Sequence, residues 1–252
     1  MTLLARACCI ASAIALYTTI AAAQDATNNG TNPTLLTRST GIQWKYTDLG
    51  AGLSNGLMEA HFTQPFGATK NMSIGITVPY ASGSLNGDYG LGDFSVKFTH
   101  VPIVTSTYGV AYTAEVFFDT ASRRDLGNGH EVGKFSGFYV NFLKSGILAP
   151  ALVQEVSLGE VGRLEQRVNR TTFDLYYVPK LGDPRFFVTF DPAITRDWQK
   201  ETTYGSLTTT FGMVIGKVMG GDGQVFVKPQ VLIGGERPAD WSLQAGFKVL
   251  NF

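Results

Sequence analysis

The sequence predicts an all-β protein, an antiparallel up-and-down transmembrane β-barrel of about 12 strands. Three observations predict it. Short blocks in which apolar and polar residues alternate recur from residue 41 to the end, the period of strands with two different faces. Long and short connections alternate along the chain, as in outer-membrane barrels with long external loops and short periplasmic turns. Finally, 12% of residues are aromatic and only 16% are charged, against roughly 25% charged in soluble domains.

Residues 1–23 read as a secretory signal, with Arg6 as the positive region, an apolar stretch over 7–20 and Ala21-Ala22-Ala23 as the cleavage site. Both cysteines, Cys8 and Cys9, fall inside it. The mature chain is therefore expected to lack disulfides, thiolate metal sites and Cys nucleophiles. Residues 24–39 are polar and turn-rich and read as a flexible lead-in, leaving 40–252 for the barrel.

The apolar faces follow in order. Ile42, Trp44 and Tyr46 form the first, Met58, Ala60 and Phe62 the second, and Met72, Ile74, Ile76, Val78 and Tyr80 the third. Phe94, Val96 and Phe98 come next, then alternate residues from Tyr108 to Phe118. Segments 134–143 and 146–158 are apolar on both parities and are also read as strands. Phe173, Leu175 and Tyr177, then 185–191, then Leu207, Phe211, Met213 and Ile215 continue the series. Val225, Val227, Val231 and Ile233 precede a last strand with Leu243, Ala245, Phe247 and Val249.

Connections at 81–92, 120–133, 159–170, 192–204 and 234–240 read as external. Those at 64–71, 99–106, 144–146, 181–184 and 220–223 read as periplasmic. Alternation alone fits a soluble barrel with an apolar interior equally well. Trp44, Tyr46, Tyr80, Tyr108, Tyr204 and Trp241 lie near strand ends and read as interfacial girdles, which favours the membrane. The chain closes on Phe252, as expected of a strand recognised by the barrel assembly machinery. Its even parity conflicts with the odd apolar positions before it, so a bulge or a frayed last residue is expected.

Four segments carry a family resemblance: Gly90-Leu91-Gly92-Asp93 before a strand, Asp125-Leu126-Gly127-Asn128-Gly129, residues 191–198, and Pro238-Ala239-Asp240-Trp241 into the last strand. Over roughly residues 85–252 the chain resembles the outer-membrane protein family named for the meta-pathway of phenol degradation. The resemblance implies a channel or transporter, with aromatic or other hydrophobic compounds as cargo.

Chemistry beyond passage finds little support. Lys plus Arg and Asp plus Glu number 20 each, so no net field favours nucleic acid. His61, His100 and His130 are widely spaced without a metal-binding pattern. The serine of Gly133-Lys134-Phe135-Ser136-Gly137 stands one place late for a nucleophile elbow. No catalytic residue, metal or cofactor is expected.

The polar strand faces supply lumen candidates: Lys45, Glu59, His61, Asp93, Lys97, Glu115, Lys228, Gln230 and Gln244. Lys45 and Glu59 are expected opposite each other across a hairpin near Gly52. Arg123, Arg124, Arg163, Arg167 and Arg170 are the basic candidates of the external loops, for solute capture or for lipopolysaccharide phosphates. The sequence thus points to a monomeric outer-membrane channel or transporter for small solutes in a Gram-negative bacterium. An anchoring or adhesive barrel is the second reading, and a lipid-modifying barrel enzyme the third.

Overall fold

A computed structural model describes residues 29–84, 87–162 and 166–252. The signal segment and Arg163 lie outside the described residues. Among the described residues there are thirteen strands: β1 (Ser39–Gly50), β2 (Leu53–Phe66), β3 (Met72–Ser82), β4 (Tyr89–Leu91), β5 (Ser95–Val104), β6 (Tyr108–Phe117), β7 (Val132–Leu143), β8 (Gly146–Ser157), β9 (Asn169–Pro179), β10 (Phe186–Asp197), β11 (Thr202–Val218), β12 (Gly221–Gly234) and β13 (Trp241–Leu250). Twelve are long and pair antiparallel in chain order, and β1 closes the ring on β13 through a ladder from Ser39–Leu250 to Asp48–Trp241. The short β4 pairs with the end of β3 that β5 leaves free.

Closure decides which way each face points. Ile42, Ile76, Leu152, Phe173 and Ile194 are all exposed, Ile194 at 60%. The apolar face is therefore the outer wall, which rules out a soluble barrel with an apolar interior. Rings gather near both rims: Tyr46 contacts both Trp44 and Trp241 at one end, and Tyr108 stacks on Tyr139 at the other. Tyr204 departs from the girdle expected of it. It points inward and is buried against Leu232 and Ala239.

Segments 134–143 and 146–158 are apolar on both parities because their inner face also packs. Val140, Ile147, Ala149 and Val178 are buried together beneath Phe138, Phe142 and Tyr176.

One end of the barrel carries the turns at 67–71, 105–107, 144–145, 180–185 and 219–220 together with the start of β1 and the end of β13. The longer loops gather at the other. The length asymmetry is less complete than expected. Residues 51–52 form a two-residue turn with positive φ at both positions, and most of 192–204 is strand. Pro192, expected at the start of that external connection, sits in β10 where the β9 ladder is interrupted between Phe190–Tyr177 and Ala193–Asp174, so its missing N–H costs no bond there.

The lead-in is ordered over its described part. Asn29 Oδ1 accepts from the backbone N–H and hydroxyl of Thr31, and Asn32 Oδ1 does the same for Thr34. All four residues are buried. Gly30 lies against Leu250 and Lys248, and Thr34 against Gly109 of β6. The segment thus reaches across the turn end of the lumen instead of hanging free. Side chains that satisfy their own backbone let a polar stretch be buried without orphaned donors.

The terminal residue resolves its own parity conflict. Asn251 takes a left-handed φ of 57, which ends the alternation and turns Phe252 onto Phe62 and under the Arg38 guanidinium.

Candidate functional site: the lumen and its mouth

Strand register builds the lumen in levels. Nearest the turn end, His61, Gly41, Lys248 and Gln224 stand side by side. Above them run Glu59, Gln43, Gly246, Phe226, Gly212 and Phe187. Lys45, Gln244 and Lys228 form the next level toward the loops.

The glycines have a purpose here. A Cβ at Gly212 would collide with the Phe187 ring, one at Gly246 with Phe226, and one at Gly41 with His61. Three rings therefore lie flat against the wall, each over a glycine. Between them remains a cavity of about 280 Å³, lined by Gln43, His61, Tyr176, Asp191, Lys228 and Lys248 among others.

Several expected lumen residues are committed to partners. Glu59 accepts from Gln43 Nε2 at 2.6 Å, while Lys45 stands opposite Leu57. The expected direct Lys45–Glu59 pairing is therefore offset by two residues, one because the turn centres on residues 51–52 and one because the ladder shifts between Asp48 and Gly50. Glu115 lies opposite Lys97 and accepts from Ser95 Oγ at 2.7 Å. Gln230 accepts from Ser242 Oγ at 3.2 Å. Among the described residues no carboxylate lies within ion-pair distance of Lys45, Lys97, Lys228 or Lys248. Lys45 feels Lys228, Glu59 and Lys134 across the interior.

Asp93 is not a lumen residue in this sense. It falls in the break between β4 and β5, is buried, and accepts from the backbone N–H groups of Thr120, Ala121 and Asn128 and from Asn128 Nδ2. It anchors the loop between β6 and β7. Parity suggested the lumen, but the irregular backbone at Gly92-Asp93-Phe94 turns the carboxylate into the loop.

Lys134, Glu155 and the Asp174–Asp191 pair were not among the expected lumen groups, and Arg170 was expected only in an external loop. Lys134, Glu155 and Arg170 form a chain of ion pairs at 3.3 and 3.4 Å across β7, β8 and β9. Asp174 and Asp191 meet on β9 and β10. Lys134 and Glu155 were hidden in the two segments that are apolar on both parities. His130 Nε2 lies 2.7 Å from Ser157 Oγ, a pairing across 27 residues that no local spacing reveals.

At the loop end a second cavity of about 390 Å³ opens among Arg124, Gln166, Arg167, Arg170, Asp197 and Lys200. Of the basic loop candidates, Arg124, Arg167 and Arg170 line it. Arg123 does not: it pairs with Asp125 and donates to Asp88 O, and its guanidinium holds the Asp125 carboxyl below the usual carboxylate range. Among the described residues no group of His, Cys, Asp and Glu side chains is arranged to hold a metal ion.

Compared by sequence, the chain matches no family model and no curated protein. Compared by structure, it is similar to the COG4313 outer membrane channel of Pseudomonas putida F1, with a TM-score of 0.68 over 86% of this chain and 96% of that one at 10% identity. The fold is that of an outer-membrane barrel. Two further similar structures are the KdgM porin (TM-score 0.57, 8% identity) and the NanC porin (0.55, 10% identity), each over 84% of this chain and 98% of the other. At these identities the likeness concerns the twelve-strand closure and not the lumen, whose lysines and carboxylates are read from this chain alone.

Proposed function

We propose that the chain is an outer-membrane channel for small solutes, with the loop end outside the cell and the turn end in the periplasm. One observation carries this reading: a lipid-compatible wall surrounds an interior lined by unpaired lysines, hydrogen-bonded carboxylates and an unfilled cavity. A barrel that only anchored its loops would have no use for uncompensated charge inside, because burying unpaired ions costs stability.

Reconstituted in a planar bilayer, the folded chain is expected to pass current, with an ion selectivity that shifts toward cations in Lys45→Gln and Lys228→Gln. Silence from folded protein, with and without the N-terminal segment, overturns the reading.

Passage of aromatic or other hydrophobic compounds rests on the family resemblance. We read His130 and Ser157 as a loop staple and not as a catalytic pair. Ser157 Oγ also accepts from Val168 N–H, and the buried His130 Nδ1 has no partner to orient the ring.

A further inference from the structure

We infer that the cavity at the loop-end mouth is an entry site for small organic anions bearing two or more carboxylates. The inference rests on the channel reading above, which it deepens by naming a solute class.

Four separate connections build the cavity. Arg124 and Asn128 come from the loop between β6 and β7, and Gln166 and Arg167 from that between β8 and β9. Lys200 comes from the turn between β10 and β11, and Pro238 from the loop between β12 and β13. Connections spread this far around a ring meet only over its centre. The cavity therefore faces the axis of the barrel and not the lipid, and lipopolysaccharide phosphates outside the rim do not reach it.

Its lining is predominantly cationic, with Arg124, Arg167, Arg170 and Lys200 against Asp197. Among the described residues no carboxylate lies within ion-pair distance of Arg124, Arg167 or Lys200. Asp197, the acidic residue of the lining, accepts from the backbone N–H groups of Gln199 and Lys200, and Arg170 is held by Glu155. Two free guanidinium groups and an ammonium converge on a space of about 390 Å³. Guanidinium matches a carboxylate with two parallel hydrogen bonds, so two such groups suit a solute with more than one carboxylate. Below the mouth, the unpaired Lys45, Lys228 and Lys248 continue the attraction along one wall.

The test titrates citrate into the folded chain by calorimetry, at low salt and with excess sodium chloride. Saturable binding that salt weakens is expected for the wild type. R124Q/R167Q/K200Q should lose at least about tenfold in affinity, and the Lys versions of both arginines should recover part of it. The control K70Q/K144Q/K180Q removes the same number of charges from the turn end and should bind like the wild type. Heat-modifiable gel mobility confirms that each variant is folded.

Absence of citrate binding to the wild type, or equal binding by the mouth variant, overturns the site. Equal losses in both charge variants reduce the effect to net charge and overturn it as well. Conductance of the same preparations separates the two readings. Current without citrate binding defeats the site and leaves the channel, whereas binding without current under any condition defeats the channel.

Discussion

Asp93 shows how one side chain decides the shape of a mouth. Its carboxylate collects three backbone N–H groups and an amide from a single loop. Asp93→Ala leaves those donors without their acceptor, at about 1–3 kcal/mol for each one that water does not reach. The barrel should still form, but protease cleavage within residues 119–129 should accelerate several-fold, and an unchanged cleavage rate would show that the loop holds itself. The inward glycines make a second case. Gly246→Leu should drive Phe226 off the wall, because no space exists for a side chain there. Overpacking of this kind costs about 1–3 kcal/mol. It should also narrow the lumen, read as a smaller unit conductance next to the wild type.

Among the elements, the segment before β1 is the most consequential. Asn29, Thr31, Asn32 and Thr34 are buried across the turn end of the lumen by their own Asx turns, and the segment contacts Leu250, Lys248 and Gly109. Removing residues 24–37 should raise conductance several-fold while heat-modifiable mobility stays intact; equal currents would mean that the segment does not obstruct the path. The strands themselves were legible in the sequence because period-two alternation survives whichever face is wet. The lead-in was not, since a polar, turn-rich stretch looks the same whether it is solvated or folded into a polar interior. The site was legible to a similar degree. Lys45, His61, Lys228 and Gln244 could be placed by parity, but Lys134 and Glu155 were masked by apolar neighbours on both faces. Asp93 was misplaced because parity assumes an unbroken strand.

For the whole molecule, the decisive quantity is which side of the wall meets lipid, and sequence alternation is blind to it. Ile76 and Thr77 are adjacent residues of β3 on opposite faces. Ile76→Arg should destabilise the barrel in bilayers by about 2–4 kcal/mol. Thr77→Arg should leave stability nearly unchanged and alter ion selectivity instead. Equal costs at the two positions, measured by denaturant titration in vesicles, would contradict the assignment of faces.

The seam between β1 and β13 joins residues about as far apart in sequence as this chain allows. Closing so long a loop is entropically the most expensive pairing in the ring, and no partial ring is satisfied in lipid, because each open edge bares its N–H and C=O groups to hydrocarbon. An unfinished barrel of this chain therefore has no stable home in the bilayer. Its first and last strands satisfy their edges only on meeting each other, and the Arg38–Phe252 contact lies where that ring closes, like a clasp.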